Sequence, residues 1–230
     1  QGVDLNIRRG EIHALMGENG AGKSTLMKVL TGIYTRDSGT IIYEGKEIEF
    51  SSPKEAQEAG IVIVHQELNM MNHLTVAQNI FIGREFMKGA IIDDARMNQE
   101  ASRLFEQLGI SIDPTERMGN LTVGKQQMCE IAKAISHKAK VIIFDEPMVG
   151  LDPHAIKELK LMFRELKKQG CTLLISTHMI DSVEDYWDAV HIMMRGRFAA
   201  TRLRSEMEQQ EENLEELFFD ITEGGEERGK

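Results

Sequence analysis

The sequence is poor in the features that mark secreted, membrane-spanning and metal-binding proteins. Its 230 residues include 2 cysteines, 4 prolines and 1 tryptophan. Cys129 and Cys171 lie too far apart for a metal-ligand spacing. The apolar runs are too short to cross a bilayer, and no secretory leader is recognisable. We therefore expect a cytoplasmic protein with reduced thiols and no direct membrane insertion.

A surplus of basic residues is also lacking. The formal net charge is −10. Residues 205–230 contain ten acidic and two basic residues, so the rest of the chain carries only −2. A near-neutral body lacks the charge that binds nucleic acid, and we expect no nucleic-acid partner. The acidic C-terminal segment is expected to be a solvated helix followed by a frayed tail.

Glycine, in contrast, is concentrated in one informative stretch. Residues 17–25, Gly-Glu-Asn-Gly-Ala-Gly-Lys-Ser-Thr, fit the phosphate-binding loop pattern. They lie between a predicted strand at 11–16 and a predicted helix. Such a loop turns backbone N–H groups toward a polyphosphate, while its lysine reaches the β- and γ-phosphates and its serine binds Mg²⁺. The predicted nucleotide-binding residues in this stretch are Gly17, Asn19, Gly20, Gly22, Lys23, Ser24 and Thr25.

Two acidic residues provide the partner that such a loop needs. Asp145 and Glu146 follow the apolar run 141–144. Asp145 is predicted to bind Mg²⁺, and Glu146 to orient or deprotonate the attacking water. Taken alone, a strand that ends in solvated acids would look the same, and only the upstream loop makes the pattern informative.

The order of predicted elements indicates an α/β fold. Apolar runs alternate with helical patterns, which favours a largely parallel sheet covered on both faces. We predict a P-loop NTPase core with a mostly parallel sheet, an antiparallel β subdomain and an inserted helical lobe. Strands are predicted at 3–7, 11–16, 40–43, 61–64, 141–144, 172–176, 189–194 and 198–201, and helices from Pro53 and at 97–108, 124–137, 154–169 and 178–186. The expected division is a core at 1–68 and 119–204, a mostly helical lobe at 69–118, and an acidic helix and tail at 205–230.

The phosphate-binding loop and the acidic pair, together with the segments that follow, resemble the motifs of the nucleotide-binding subunit of ABC transporters. Residues 121–127 resemble the family signature Leu-Ser-Gly-Gly-Gln, which contacts the γ-phosphate held by the opposite subunit. The resemblance assigns this role to Thr122, Val123, Gly124, Lys125 and Gln126. From these residues alone, without the other motifs, the favoured interpretation is an ordinary helix with Thr122 as its N-cap.

Three further positions match the family in the same order. Gln66 resembles the loop glutamine that senses Mg²⁺, although a polar residue at a strand end needs no such role. Asp152 resembles the aspartate that contacts the partner subunit, and it also suits the N-cap of the following helix. His178 resembles the switch histidine on the γ-phosphate. The other six histidines show no metal-ligand spacing.

The resemblance implies a function. It implies an ATPase that uses ATP and Mg²⁺, pairs head to tail with a second cassette subunit, and drives membrane permease subunits from the cytoplasmic face. The solute is expected to be sugar-like, because residues 1–146 resemble monosaccharide importers. One alternative is a truncated or engineered hybrid with weak or no ATPase activity, and another is a soluble cassette ATPase of translation or DNA repair.

Two features depart from the family pattern. The family begins with an earlier strand whose aromatic residue stacks on adenine, and the first strand is expected to be missing here. In addition, residues 148–222 are more similar to exporter-type ATPases, through Gly150-Leu151-Asp152 and Ser176-Thr177-His178. This suggests two branches joined near residues 145–147.

Overall fold

The computed structural model describes residues 2–180 and 186–227, with side chains described up to residue 222. The strands are β1 (Ile12–Met16), β2 (Ile41–Tyr43), β3 (Lys46–Ile48), β4 (Ile61–Val64), β5 (Met87–Lys88), β6 (Ile91–Ile92), β7 (Val141–Asp145), β8 (Thr172–Thr177), β9 (Ala189–Met194) and β10 (Arg197–Leu203). The helices are α1 (Lys23–Leu30), α2 (Pro53–Glu58), α3 (Val76–Phe81), α4 (Asp94–Leu108), α5 (Val123–Ser136), α6 (Pro153–Lys168), α7 (Arg204–Gln210) and α8 (Leu214–Glu227).

A six-stranded sheet forms the centre of the molecule. Its order is β10-β9-β1-β8-β7-β4, and only the β9–β10 pair is antiparallel. Two antiparallel hairpins, β2–β3 and β5–β6, lie outside this sheet. The predicted α/β class is confirmed, with its mostly parallel sheet, antiparallel β part and helical parts. None of the described helices is long and apolar enough to span a bilayer.

The apolar core lies on both faces of the sheet because successive side chains point to opposite faces. On β1, Ile12, Ala14 and Met16 belong to the larger cluster, which the helices α3 to α6 cover. Leu15 belongs to the smaller cluster on the other face, with Met27 of α1. Strands buried on both faces read as continuous apolar runs, which explains why the sequence identifies them.

The register of the parallel strands aligns their carboxyl ends. Met16 pairs with Thr177, Asp145 pairs with Ser176, and Phe144 pairs with Val64. The segments that follow β1, β4, β7 and β8 therefore leave the sheet along one edge. Ligands of open α/β sheets bind at this edge.

The structure corrects three predictions of secondary structure. Residues 3–7 form no strand, and their apolar side chains pack on the smaller cluster without a ladder partner among the described residues. The stretch 69–118 contains the β5–β6 hairpin as well as helices. The acidic C-terminal segment forms two helices, because Glu211 between them takes a left-handed conformation with φ 54°. The helix predicted at 178–186 falls mostly on residues outside the described ones.

Two buried histidines from neighbouring strands form a hydrogen-bonded pair. The Nδ1 of His13 lies 3.0 Å from the Nε2 of His191, and the ring planes are nearly parallel, with an interplanar angle of 7°. The Nε2 of His13 accepts from the backbone N–H of Arg8 at 3.1 Å. Neutral His13 therefore carries its proton on Nδ1, and neutral His191 donates from its own Nδ1 to Thr201 Oγ1 at 3.1 Å. This relay ties β1, β9 and β10 together through neutral rings.

Candidate functional site

The Gly-rich loop lies at the aligned edge, between β1 and α1. Gly22 is the N-cap of α1, and no side chain caps the helix. Uncapped N–H groups at a helix N-terminus favour an anion. A Cβ at Gly17 would lie 2.3 Å from the carbonyl oxygen of Met193, so this position admits only glycine. The backbone N–H of Gly196 also donates to the carbonyl oxygen of Ala21 at 2.8 Å, which fastens the loop to the β9–β10 turn.

Three charged or titratable side chains predicted from the sequence converge beside this loop. Lys23 is buried, and its Nζ donates to the carbonyl oxygen of Gly17 at 2.6 Å. The same Nζ lies 3.4 Å from Glu146 Oε1. The Nδ1 of His178 lies 3.0 Å from Glu146 Oε2. The Glu146 carboxylate is therefore held between a cation and an imidazole, with its side chain 10% exposed.

Asp145 and Ser24 form a second group at the same edge. Ser24 Oγ donates to Asp145 Oδ1 at 3.2 Å, although 121 positions separate the two residues. Ser176 Oγ donates to the same oxygen at 2.9 Å. Gln66 is exposed and lies two residues after Val64, the last residue of β4. Val64 pairs with Phe144 of β7, and Glu146 lies two residues after Phe144. Gln66 and Glu146 therefore occupy equivalent positions after neighbouring strands.

These oxygen donors suit Mg²⁺. Within the described residues, no cluster of three or more His, Cys, Asp or Glu side chains forms a metal site by itself. Magnesium commonly takes one or two protein ligands and completes its shell with water and substrate phosphates. Ser24 and Asp145, with Gln66 nearby in the sheet order, could supply those protein ligands.

The predicted partner-site residues lie elsewhere, at the start of α5. Thr122 is the N-cap, and its Oγ1 accepts from Lys125 N at 3.4 Å. Val123 and Lys125 are exposed, whereas Gln126 donates to the carbonyl oxygens of Met118 and Leu121. Among the hydrogen bonds and ion pairs of the described residues, none joins residues 122–126 to residues 17–25.

Asp152 starts the neighbouring helix α6. Its side chain accepts from the N–H groups of His154 and Ala155 at 2.9 and 3.0 Å. The bond from Ala155 is the main reason that the pKa of this carboxyl lies below its usual value. Asp152 therefore caps α6, as the sequence indicated. The proposed contact of Asp152 with a partner subunit is not tested by this cap.

Comparison with known proteins decides the family. The ABC transporter family model matches residues 1–149. The chain is also 48% identical over 203 residues to the ribose import ATP-binding protein RbsA of Geobacillus kaustophilus, an alignment that covers 87% of this chain.

The chain belongs to the ABC transporter family.

Solved structures agree with this assignment. A nucleotide-free ATP-binding cassette from an ABC transporter superposes with a TM-score of 0.82 at 28% identity, covering 96% of this chain and 90% of the other. The ADP conformation of an ABC transporter cassette gives the same four values. The chain nevertheless spans only about two fifths of the length of the curated relatives it matches.

The comparisons do not support the two-branch hypothesis. An alignment that covers 87% of the chain has to continue well past residue 146, and it does so within one natural sugar-import protein. The exporter-like features of residues 148–222 are therefore compatible with a single ABC lineage.

Some contacts of this ABC cassette were missed from the sequence. Ser176 contacts both acidic residues of the site, and only the strand register reveals it. Glu130 of α5 accepts from the N–H of Asn69 at 3.0 Å, in the loop that follows Gln66. Asn79 is buried and binds both backbone groups of Met71, within that loop. The available signal was an asparagine followed by Ile80 and Phe81 in the segment 76–81, Val-Ala-Gln-Asn-Ile-Phe.

Proposed function

We propose that the chain binds and hydrolyses ATP to power the import of a sugar-like solute. The observation that supports hydrolysis most strongly is the Glu146 carboxylate, held 3.4 Å from Lys23 Nζ and 3.0 Å from His178 Nδ1. A general base needs a fixed position beside the reacting phosphate, and this carboxylate lies next to the phosphate-binding loop.

Each residue of the site then has a role in phosphoryl transfer. The loop N–H groups and Lys23 bind the phosphates and spread the charge that develops on them. Glu146 polarises the attacking water. His178 donates to Glu146 from Nδ1, since an ionised carboxylate only accepts, and its exposed ring is free to hold the γ-phosphate.

Ser24, Asp145 and Gln66 are the residues that would hold Mg²⁺, which neutralises phosphate charge when bound. The serine hydroxyl and the carboxylate share a hydrogen bond, so these two metal-binding groups lie close together. Gln66 lies in a loop held at Asn69 by Glu130, which links the metal site to helix α5.

Residues 122–126 and Asp152 are proposed to complete the site of a second cassette subunit in a head-to-tail dimer. Their helix N-termini lie side by side, since Gly124 packs against Ala155. The apolar side chains of Val123 and Val149 beside them are exposed, as expected of a surface that another protein covers.

The sugar-like solute and the permease partners rest on the relatives. RbsA of Geobacillus kaustophilus is named a ribose import ATP-binding protein. Because import crosses a membrane, we propose membrane permease subunits as partners. We propose the same class of solute for this chain and a location at the cytoplasmic face of the membrane.

We also propose that the chain is divided into a core at 1–68 and 119–204, a lobe at 69–118 and a C-terminal segment at 205–230.

The test is steady-state ATPase activity with saturating Mg²⁺ and ATP. Glu146→Gln keeps the shape of the side chain but removes the base, and it should lower turnover by about a hundredfold or more. Glu58→Gln is the matched control, because Glu58 is exposed on α2 and should leave turnover unchanged. Equal turnover of Glu146→Gln and the parent chain would remove the role assigned to Glu146.

One structural observation supports an alternative to efficient ATP hydrolysis. Residues 2–7 join no sheet in the structure, which supports the alternative of a cassette that retains the fold but has weak or no ATPase activity. Absence of any turnover in the parent chain, with ATP binding intact, would select this alternative.

A further inference from the structure

Ser176 occupies a central position between the two acidic residues of the site. It is fully buried at the carboxyl end of β8, and its register partner on β7 is Asp145. Its hydroxyl makes two hydrogen bonds across the strands. It donates to Asp145 Oδ1 at 2.9 Å and accepts from the backbone N–H of Glu146 at 3.1 Å.

The first of these bonds fixes the orientation of the Asp145 carboxylate. A hydroxyl has one proton, and here that proton goes to Oδ1. Ser24 Oγ donates to the same oxygen at 3.2 Å. Two donors on one oxygen hold the carboxylate in a single orientation, and among the described residues no hydrogen bond engages Oδ2. Asp145 therefore keeps one oxygen available for a cation.

The second bond holds a strained backbone. Glu146 has φ 49°, in the left-handed region, which costs free energy in a residue that carries a Cβ. This turn ends β7 and brings the Glu146 side chain to Lys23 and His178. The hydrogen bond from the Glu146 N–H to Ser176 helps to offset that cost and fixes the peptide from which the side chain projects.

We propose that Ser176 is a positioning residue that sets Asp145 for metal binding and Glu146 for water activation through one hydroxyl group. The proposal rests on the hydrolytic function proposed above. It adds a residue that touches neither the nucleotide nor the metal, but on which both carboxylates depend. Groups that orient metal ligands in this way typically change metal affinity or activity tenfold to a hundredfold.

The experiment compares Ser176→Ala with Ser176→Thr and with Thr172→Val. Thr172 lies on the same strand, is also buried, and its hydroxyl also accepts from a backbone N–H, that of Gly10. It lies at the opposite end of β8, away from the site. Thr172→Val therefore reproduces the loss of a buried hydroxyl without touching the acidic residues.

Three measurements are made on each variant. The first gives kcat and KM for ATP hydrolysis, and the second gives nucleotide affinity in EDTA. The third follows nucleotide affinity as Mg²⁺ is added and gives the Mg²⁺ concentration at which half of the increase in affinity is reached, here called the Mg²⁺ requirement. For Ser176→Ala we expect kcat to fall about tenfold to a hundredfold and the Mg²⁺ requirement to rise about tenfold. Nucleotide affinity in EDTA should stay within about twofold of the parent chain, because the phosphate-binding loop is intact. Ser176→Thr should recover most of the loss, and Thr172→Val should alter neither kcat nor the Mg²⁺ requirement.

The outcomes separate this proposal from the proposed function. An unchanged kcat and Mg²⁺ requirement in Ser176→Ala overturns the positioning role, and so does an equal loss in Thr172→Val. If the parent chain hydrolyses no ATP, the hydrolytic function fails. The Mg²⁺ dependence of nucleotide affinity then still decides whether Ser176 positions Asp145.

Discussion

Single residues at the site carry conformations that the rest of the molecule holds in place. Glu146 has a left-handed backbone, and Gly17 leaves no room for a Cβ beneath the β9 carbonyl of Met193. Backbone strain of this kind persists only where surrounding contacts determine it, and it is concentrated at functional sites. The contacts that determine it here come from β8 and β9, strands distant in sequence from both residues.

The buried histidine pair makes stability depend on pH. Burial lowers the pKa of His13 and of His191 to about 4, against 6.5 for an exposed ring, and the Asp188 carboxylate only partly opposes this for His13. Because the unfolded chain binds protons more readily, the stability that the neutral pair contributes is fully present above pH 6.5. It is lost progressively as the pH falls from 6.5 toward 4, by about 2–4 kcal/mol for the pair at pH 5.

Urea denaturation at pH 7.5, 6.5 and 5 should show this fall in the free energy of unfolding. His137, whose pKa burial also lowers to about 4, adds to it. In His191→Gln the fall should be smaller, whereas in His154→Gln it should equal that of the parent chain, because His154 is exposed. A free energy that is level between pH 7.5 and 5 would contradict the neutral, buried pair.

At the scale of elements, the close approach of α5 and α6 depends on one missing side chain. A Cβ at Gly124 would lie 2.5 Å from the Cβ of Ala155. Gly124→Ala should therefore push the helices apart and destabilise the fold by about 1–3 kcal/mol, even though alanine is the better helix former.

The compensating variant isolates this cause. Ala155→Gly removes the opposing Cβ at a cost of about 1 kcal/mol in helix propensity. The double variant should be little less stable than Ala155→Gly alone, when the free energies of unfolding are compared in a double-mutant cycle. If Gly124→Ala is equally destabilising in both backgrounds, then contact with Ala155 is not the reason.

Local sequence patterns predicted the elements that have strong local signals. The core strands β1, β4, β7 and β8 are apolar runs bounded by turns, and Lys23, Asp145 and Glu146 lie in patterns of fixed spacing. The β5–β6 hairpin escaped prediction because two residues per strand define no period. Residues 3–7 show the alternation of a strand, but a strand also needs a partner, which local pattern does not reveal.

Contacts between strands distant in sequence could not be predicted in the same way. The pairing of His13 with His191 and the bonds of Ser176 both depend on which strands are neighbours and in what register. A shift of one residue moves every side chain to the other face of the sheet, so these contacts follow from the whole sheet and not from any segment.

At the scale of the whole molecule, the predicted site is divided between two surfaces. The phosphate-binding loop, the acidic residues and His178 share the carboxyl edge of the sheet. The start of α5 is joined to that loop by no hydrogen bond or ion pair among the described residues. If a second copy supplies residues 122–126, activity should require two chains.

Concentration dependence tests this requirement. The ATPase rate per chain should rise with protein concentration, and Glu146→Gln with ATP should form a dimer that light scattering after size-exclusion chromatography detects. Adding Val123→Glu should abolish both effects while leaving ATP binding by the single chain intact, because a charge would be buried without a partner in the dimer. Leu161→Glu is the matched control, since Leu161 on α6 and Val123 are each 54% exposed. If both charged variants behave alike, or if the rate per chain is independent of concentration, the start of α5 does not complete a partner's site.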